Sequence, residues 1–298
     1  MHSVDILLPT FNGAKYIEEL INSLLNQSHQ SIKIHIRDDG STDQTIQIIE
    51  KLAEIENRIL IYKDFTDNLG LASNIEYLLS LSDADYIMYC DQDDFWFDNK
   101  VELLLEQMLI QEGNLGAKTP ILIHSDCYVT DENLNIISLF KADKPFYYGL
   151  SNSLFNYYVQ GASTIFNKSL KKEITPFINN VYIHDRYTHL IAEITGFRFY
   201  LNLPLMLYRQ HSSNLIGSAS LWTKIKNSFL KKNFIFFIKQ DRLLIETIYN
   251  KKYPTNKLLY AYLKMTSNNA SIFEKIKIKL SYGIKMRFKE LFIMLLKH

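Results

Sequence analysis

Cysteine is scarce in this sequence, and its scarcity limits the classes of protein that the chain can represent. The 298 residues contain two cysteines, Cys90 and Cys127, which form neither a CxxC pair nor an evenly spaced framework. Disulfide frameworks and cysteine-based zinc sites need more of these residues at regular or closer spacing. We therefore expect two buried thiols and a reducing compartment, the cytoplasm.

Long apolar runs are also missing. The N-terminal stretch MHSVDILLPT lacks a basic segment followed by a long apolar one. Nowhere do about 18 uncharged apolar residues, the length of a membrane-spanning helix, follow one another. We expect a chain that is neither exported nor threaded through a bilayer. Its length and 47% hydrophobic content allow one large core, or a core with an appendage.

Two phosphate-binding signatures are absent as well. The sequence contains neither GxGxxG nor the P-loop pattern GxxxxGKS/T. The dinucleotide-binding and P-loop classes therefore lose their main support. We expect that any phosphate bound by this chain is held with the help of a metal ion.

The net charge is small, but it is distributed unevenly along the chain. The formal net charge is +1, yet residues 221–298 hold 17 Lys and Arg against 4 Asp and Glu, whereas residues 1–220 hold 16 against 28. This asymmetry predicts an acidic domain at residues 1–220 and a basic C-terminal region at residues 221–298.

The basic region has a helical pattern in which Phe, Ile and Leu alternate with Lys, as in LWTKIKNSFLKKNFIFFIKQ and FEKIKIKLSYGIKMRFKELFIMLLKH. Helices of this kind can lie on an anionic membrane surface, where each nearby Lys or Arg adds about 1 kcal/mol. The alternative is a helical cap on the acidic domain, with its lysines in solvent. No nucleic-acid-binding motif accompanies the charge, so nucleic acid is the poorer partner.

Strand-like apolar runs alternate with helical patterns through the acidic domain. The strand-like runs lie at residues 4–8, 32–36, 58–62, 86–90, 121–125, 127–130, 164–166 and 199–207. This alternation predicts an α/β fold with a mostly parallel central sheet flanked by helices, followed by the helical basic extension.

Polar side chains follow each of the first four predicted strands. In open sheets of this type ligands bind beyond the carboxyl ends of the strands, so four loops are expected to meet at one crevice. Their polar residues are Thr10 and Asn12, Asp38 and Asp39, Asn68, and Asp91 with Asp93. Asx residues also cap helices and start turns, so any one of them taken alone could be structural.

The stretch YIMYCDQDDFW at residues 86–96 ends an apolar run in four consecutive polar residues. Carboxylates this close repel one another unless a cation binds them. Hard oxygen ligands at alternating positions, Asp91 and Asp93, suit Mg²⁺ or Mn²⁺ with substrate phosphates completing the coordination. An acidic surface turn is the alternative for this motif alone.

Two polar islands and an aromatic segment follow. Asp185 opens a helical pattern at residues 184–194, either as a functional acid or as a capping residue favoured by the helix dipole. Arg209 and His211, in YRQHSSNLIG, can bind a diphosphate or a metal. The aromatic residues of the segment 131–160 can stack on an acceptor or pack the core: Phe140, Phe146, Tyr147, Tyr148, Phe155, Tyr157 and Tyr158.

Six motifs in this order resemble those of the family 2 glycosyltransferases, over about residues 4–217: PTFNG, RDDGSTD, DNLG, CDQDDFW, HD and YRQHSSNLIG. The resemblance implies the nucleotide-sugar-binding fold called GT-A. The combination of CDQDD, HD and YRQH resembles bacterial rhamnosyltransferase-like enzymes of surface polysaccharide assembly. The sequence departs from the family at Ala162, where a cysteine is frequent, and at Arg186, where a tryptophan is frequent.

The resemblance also implies roles for the matching residues. Asp93 is expected to bind Mg²⁺ or Mn²⁺ directly, with Asp91 as a second or water-mediated ligand. Asp185 matches the catalytic base, and Arg209 and His211 match positions near the leaving diphosphate. The nucleotide pocket would be lined by Pro9, Thr10, Asn12, Asp38, Asp39, Asn68, Asp91 and Gln92, with Asp39 accepting hydrogen bonds from the base.

The implied activity is inverting transfer of a sugar from a nucleoside-diphosphate sugar, dTDP-rhamnose or a UDP-hexose. The expected acceptor is a hydroxyl of a glycan or lipid-linked glycan in bacterial surface polysaccharide synthesis, at the inner face of the cell membrane. Two alternatives stay open: a magnesium-dependent nucleotidyltransferase, although PTFNG is not the basic glycine-rich phosphate loop that it needs, and a non-catalytic nucleotide-sugar-binding or membrane-binding module.

Overall fold

The structure is a computed structural model, and it describes residues 2–63, 68–140, 148–155, 159–211, 229–267 and 269–284. Within the helix that begins at Phe229, side chains are described from Lys239 onward. Several predictions lie outside the described residues: those for residues 212–217 of YRQHSSNLIG, for the segments 221–228 and 285–298, and for Phe146, Tyr147, Tyr157 and Tyr158.

The strands are β1 (Val4–Thr10), β2 (Ile32–Asp38), β3 (Ile59–Ile61), β4 (Tyr86–Tyr89), β5 (Phe95–Trp96), β6 (Ile121–Thr130), β7 (Ile136–Leu139), β8 (Thr164–Asn167) and β9 (Phe197–Arg209). The helices are α1 (Ile17–Leu25), α2 (Thr45–Ala53), α3 (Leu71–Leu81), α4 (Lys100–Leu115), α5 (Leu150–Ser153), α6 (Lys168–Ile174), α7 (His184–Thr195), α8 (Phe229–Lys251), α9 (Lys257–Met265) and α10 (Ile272–Ser281). A short 3-10 turn, Gly161–Ser163, precedes β8.

The strands form one sheet in the order β3-β2-β1-β4-β8-β6-β9-β5, with β7 paired to β6. The first four strands are parallel, as predicted. Between β4 and β6, however, β8 runs antiparallel to both neighbours, because the segment after β6 returns the chain to the same edge of the sheet. The α/β fold class is confirmed, and the sheet as a whole is mixed.

Strand β1 lies inside the sheet between β2 and β4, and it is buried at every position. Aliphatic side chains of β1, β2 and β4 pack with the buried face of α1, for example Ile6, Ile34 and Leu20. A strand covered on both faces requires a nearly continuous apolar run, which is what VDILL provides. The carboxyl ends of these parallel strands therefore lie at one edge, where the polar loops begin.

Several boundaries differ from the predictions. Pro9 has no N–H to donate, so the first strand was predicted to end at residue 8, yet pairing with β2 continues to Thr10. The two strands predicted at residues 121–130 are one strand, whose register against β9 shifts on either side of Asp126.

The chain forms two compact units. The first comprises Met1–Lys144, Val159–Pro176 and Ile183–Leu221, and it holds the whole sheet and every candidate site residue. The second comprises Pro145–Tyr158, Phe177–Tyr182 and Trp222–His298, and it holds α8, α9 and α10. The predicted boundary at residues 220/221 lies one residue from the end of the first unit, but the second unit also includes two earlier segments.

Charged residues occur along the sequences of all three helices α8, α9 and α10. Among the residues that the structure describes, no helix combines the length and the apolar character that crossing a membrane requires.

Candidate active site

The loop after β2 is fastened to the end of β1 by the carboxylate of Asp38. Its Oδ1 accepts hydrogen bonds from Thr10 Oγ1 at 2.8 Å and from Ser41 Oγ at 2.5 Å. Its Oδ2 accepts the backbone N–H groups of Gly40 and Ser41 at 3.0 and 2.6 Å. Both carboxylate oxygens of Asp38 therefore hold the loop in place.

Asn12 joins the same two loops from the other side. Its backbone has a left-handed conformation, with φ at 49°, which asparagine tolerates better than most residues. Its side-chain Oδ1 accepts the N–H of Thr42 at 2.8 Å, and its own N–H donates to Ser41 Oγ at 2.7 Å. Pro9 lies in β1, opposite Arg37 of β2.

The buried carboxylate of Asp39 joins β2 to the loop before α3. Arg37 Nη1 donates to Asp39 Oδ1 at 2.7 Å, and both side chains are buried. The N–H groups of Leu69 and Gly70 donate to the two carboxylate oxygens, each at 2.8 Å. Asn68 Nδ2 donates to the backbone oxygen of Asp39 at 2.9 Å. A buried ion pair of this kind fixes the loop, because losing either partner would leave a charge without compensation.

Gln92 connects the DQDD motif to the β1 loop. Its Oε1 accepts the N–H of Phe11 and its Nε2 donates to the carbonyl of Phe11, both at 2.9 Å. Gly13 leaves room for this contact, since a Cβ at that position would lie 2.5 Å from Gln92 Oε1. The amide of Gln92 therefore binds protein backbone, and the two carboxylates beside it have other partners.

Asp91 lies in a cluster of acidic side chains. Gln160 Nε2 donates to Asp91 Oδ2 at 3.0 Å. Removal from bulk water, together with the charges of Asp93 and Asp185, raises the pKa of Asp91 to about 7. The carboxylates of Asp91, Asp93 and Asp185 thus act on one another at a single site.

Asp185 lies in the first turn of α7. The N-cap residue of this helix is Ile183, so Asp185 is not the capping residue. Its Oδ1 accepts the N–H of Arg186 at 2.6 Å. On its other side it faces the turn before β8, because a Cβ at Gly161 would lie 3.2 Å from Asp185 Oδ2. Gln160 and Gly161 are consecutive, so one short segment contacts both Asp91 and Asp185.

His211 and Arg209, at the end of β9, contact the DQDD motif. His211 Nε2 lies 2.7 Å from Asp93 Oδ2. The side-chain Nε of Arg209 donates to the carbonyl of Asp93 at 2.7 Å. The backbone N–H of Arg209 donates to Asp94 Oδ1 at 3.2 Å. The end of β9 thus binds the motif through one side-chain pair and two backbone groups.

The guanidinium of Arg209 reaches further across the first unit. Nη1 donates to the carbonyl of Glu132 at 2.6 Å, and Nη2 forms an ion pair with Glu19 of α1. The ring of Tyr16 lies 4.6 Å from the guanidinium carbon and also packs against His211. Arg209 is buried by these contacts and joins α1, the DQDD motif and the β6–β7 turn.

A buried lysine contacts the turn that lies beside Asp185. Lys100 Nζ donates to the carbonyl of Ala162 at 2.6 Å and lies 3.2 Å from the centroid of the Trp96 ring. Burial lowers the pKa of Lys100 to about 7. Because Ala162 follows Gly161, this contact ties the start of α4 to the turn beside Asp185.

The carboxylates Asp91 and Asp93 fit a divalent cation. Burial, and after it the charge of Asp93, raises the pKa of Asp91. A cation between the two carboxylates would relieve the repulsion between their charges. Their carboxylate oxygens are of the donor type that Mg²⁺ and Mn²⁺ prefer. Within the described ranges no group of three or more His, Cys, Asp or Glu side chains forms a cage, so the rest of the coordination would come from substrate and water.

The predicted site residues lie along two connected networks. Thr10, Asn12, Asp38, Asp39 and Asn68 meet in the loops after the first three strands. Gln92 links these loops to the second network, which holds Asp91, Asp93, Asp185, Arg209 and His211.

Sequence reasoning missed three residues that complete these networks: Gln160, Gly161 and Lys100. Gly161 carries a detectable signal, since a glycine before an apolar run indicates a turn, and Gln160 precedes it directly. Lys100 gives no such signal, because a lysine near the start of a helix is normally expected to lie in solvent.

Most of the candidate site residues lie in a part of the chain that matches a known protein family. The sequence model described as Glycosyl transferase family 2 matches residues 5–152, from β1 past β7. The chain belongs to glycosyl transferase family 2. The predicted family is confirmed, and glycosyltransferase activity replaces the nucleotidyltransferase and non-catalytic alternatives.

Two relatives show how far the likeness of this glycosyltransferase extends. The dTDP-rhamnosyl transferase RfbG of Shigella flexneri is 26% identical over 273 residues, which cover 86% of this chain and 89% of RfbG. The putative teichuronic acid biosynthesis glycosyltransferase TuaG of Bacillus subtilis is 35% identical over 107 residues, which cover 36% of this chain and 42% of TuaG. The likeness to TuaG thus spans less than half of either protein.

Solved structures of glycosyltransferases share the fold. S. aureus TarS 1-349 in complex with UDP-GlcNAc superposes with a TM-score of 0.58 at 18% identity, covering 98% of this chain and 79% of that one. The mannosyltransferase PcManGT from Pyrobaculum calidifontis, in complex with GDP-Man and Mn²⁺, superposes with a TM-score of 0.57 at 13% identity, covering 98% and 78%. At these identities the likeness establishes the GT-A fold of this family 2 glycosyltransferase.

Proposed function

We propose that this protein transfers a sugar from a nucleoside-diphosphate sugar to a hydroxyl of a glycan or lipid-linked glycan in bacterial surface polysaccharide synthesis, with inversion at the anomeric carbon. The observation that carries the proposal is the shared site of Asp185 and the DQDD carboxylates, joined by Gln160 and Gly161. The dTDP-rhamnosyl transferase RfbG, similar over most of its length, supports dTDP-rhamnose as donor, with UDP-hexoses as the alternative.

Asp185 is the proposed base of a single displacement. Its carboxylate takes the proton of the acceptor hydroxyl as that oxygen bonds to the anomeric carbon. The bond from this carbon to the diphosphate breaks, and its electron pair leaves with the nucleoside diphosphate. Attack from the face opposite the leaving group inverts the configuration, as in inverting glycosidases with water as nucleophile. The half-buried position of Asp185 leaves the carboxylate accessible to an acceptor.

The loops after the first three strands are proposed to bind the nucleotide. Hydrogen bonds among these loops fix their polar residues before the sugar donor binds: Thr10, Asn12, Asp38, Asp39 and Asn68. Such preorganisation reduces the conformational entropy lost on binding. Pro9, Gln92 and Asp91 border the same pocket in this proposal, and Arg209 with His211 lies on its diphosphate side.

Asp93 and Asp91 would hold Mg²⁺ or Mn²⁺. When bound, the cation supplies positive charge that stabilises the departing diphosphate. The chain's own contribution is to fix these two carboxylates, through His211 and Gln160 respectively. A lipid-linked acceptor would place the reaction at the inner face of the cell membrane, with the protein associated peripherally through its basic region.

The base is tested by Asp185→Asn. Turnover should fall by about 10² to 10⁴-fold, since the amide cannot accept the proton, while affinity for the nucleotide-sugar stays nearly unchanged. The assay measures nucleoside diphosphate released from dTDP-rhamnose or UDP-hexoses in the presence of Mg²⁺ and a bacterial lipid extract. Asp98→Asn, at an exposed position, is the matched control. Full turnover by Asp185→Asn would remove this residue as the base.

The cation site is tested by Asp93→Ala. Calorimetric titration with the nucleoside diphosphate in Mg²⁺ should show affinity reduced by about tenfold or more, because the phosphates lose a cation that the protein holds. In EDTA the variant and the parent should bind with similar affinity. Asp98→Ala serves as the control, and an affinity in Mg²⁺ equal to that of the parent contradicts the assignment of Asp93 as a ligand.

A further inference from the structure

Helix α10 presents apolar side chains to solvent. Ile272, Phe273, Ile276 and Leu280 are 45%, 77%, 39% and 73% exposed. At about 100° per residue these four positions cover an arc of roughly 100° on one side of the helix. This arc, the α10 stripe, is as wide as the apolar face that a surface helix normally turns toward a protein core.

On the neighbouring side of α10, about 60° around the helical wheel from Ile272, a charged side chain is buried. Lys275 is buried, with 2% of its surface exposed, and burial lowers its pKa. The helix therefore packs a lysine inward and four apolar side chains outward. The start of the helix is well defined, since Ser271 and Glu274 form a reciprocal capping box. The outward direction of the stripe is thus set by a regular, capped helix.

Two lysines flank the α10 stripe. On the helical wheel Lys277 lies beside Phe273 at one edge, and Lys279 lies beside Ile272 at the other. Lys277 is exposed and Lys279 is half-buried. An apolar arc bordered on both edges by lysines is the arrangement of helices that lie in the plane of a membrane interface.

We propose that the α10 stripe docks the protein on an anionic lipid bilayer. Phe273 and Leu280 enter the boundary between headgroups and acyl chains, and Lys277 and Lys279 contact anionic headgroups. Charge complementarity favours this occupant over a second copy of the chain, because stripe-to-stripe pairing would bring lysines of both copies together. A helix of ten residues is about 15 Å long, so it lies on the bilayer rather than crossing it.

The inference rests on the peripheral membrane association included in the proposed function, but it does not depend on catalysis. It concerns the second unit alone, whereas the proposed base and cation ligands belong to the first. Vesicle binding can therefore be measured with Asp185→Asn, whose binding should equal that of the parent. Failure of the enzymatic proposal and failure of membrane docking would then be seen in separate assays.

The test uses flotation of the full chain with vesicles of phosphatidylglycerol and phosphatidylethanolamine, against phosphatidylcholine vesicles. The double variant Phe273→Ser/Leu280→Gln should reduce the partition coefficient by about tenfold or more, because two apolar side chains no longer leave water. Lys277→Gln/Lys279→Gln should reduce it by about tenfold, and added salt should reduce the binding of the parent more than that of this variant.

The matched control is Ile55→Ser/Ile110→Ser, which removes two exposed apolar side chains of the first unit. It should bind anionic vesicles as the parent does. Equal binding by the Phe273→Ser/Leu280→Gln variant would overturn the proposal, as would failure of the parent to bind. Concentration-dependent dimers that the same double variant abolishes, without vesicle binding by the parent, would assign the stripe to a second copy instead.

Discussion

A carboxamide occupies the second position of the DQDD motif, and its contacts determine the partners of the carboxylates on either side. Gln92 binds the backbone of Phe11 with both its oxygen and its nitrogen. Asp91 is then held by Gln160 and Asp93 by His211. Three parts of the first unit therefore hold the motif: the β1 loop binds Gln92, the turn before β8 binds Asp91, and the end of β9 binds Asp93 and Asp94.

Gly13→Ala tests the contact of Gln92 with Phe11. The new Cβ would lie 2.5 Å from Gln92 Oε1, and the flexible side chain should move away and lose both hydrogen bonds. We expect the free energy of unfolding to fall by about 1 kcal/mol, measured by urea denaturation. Gly113→Ala is the control, because nothing lies within 4 Å of its Cβ and alanine favours the helix.

A double-mutant cycle separates this contact from other effects of Gly13→Ala. In a Gln92→Ala background the added methyl group meets no side-chain amide, so Gly13→Ala should cost much less than it does in the parent. An equal cost in both backgrounds would show that Gln92 is not the cause.

At the scale of elements, Asn167 joins four segments of the first unit. Its Oδ1 accepts the N–H of Leu170, which caps α6, and the N–H of Ile121 at the start of β6. Its Nδ2 donates to Glu112 Oε1 near the end of α4 and to the carbonyl of Thr119, both at 2.9 Å. One buried amide thereby satisfies polar groups that water does not reach.

Asn167→Ala should be strongly destabilising. It removes a helix cap and leaves buried N–H groups without an acceptor, so we expect a loss of about 2–4 kcal/mol in the free energy of unfolding. Chemical denaturation measures this change. Asn114→Ala, at an exposed helical position, should stay within about 0.5 kcal/mol of the parent. A loss of less than 1 kcal/mol for Asn167→Ala would contradict the role of this residue.

Several elements could be located from the sequence because an apolar run or a helical pattern marks each of them. The first four strands and α7 are found within one or two residues of their predicted positions. The two-residue β5 is too short to show a period and exists because Phe95 and Trp96 pair with β9, far along the chain. Such an element is created by tertiary pairing, which local patterns do not contain.

At the scale of the whole molecule, the charge asymmetry predicts a boundary at residues 220/221, whereas the second unit also contains two earlier segments of the chain. Within that unit, Asn180 Nδ2 donates to Thr247 Oγ1 at 3.0 Å, and Tyr182 OH donates to Asp241 Oδ1 at 3.4 Å. The segment Phe177–Tyr182 therefore belongs with α8, although it precedes α7 in the sequence. Contacts between distant residues decide this, and composition does not record them.

For the candidate site, too, the sequence pattern indicates which residues are involved but not which of them contact one another. Motifs supplied the candidate residues, since loop positions after strands can be located in the sequence. The pairings were not predictable: Asp39 binds Arg37 and the Leu69–Gly70 backbone, and Asp93 binds His211. Lys100 could not be predicted because its burial depends on tertiary contacts with Trp96 and Ala162.

The contacts of Arg209 bear on how the protein is made. A chain emerges from the ribosome N-terminus first, and domains begin to fold in that order. The DQDD motif is synthesised 116 residues before the arginine that fastens it, and Glu19 appears 190 residues before its partner. A nascent chain that stops short of Arg209 carries nearly every motif of the family yet leaves its acidic cluster unfastened, so the site is completed late in translation.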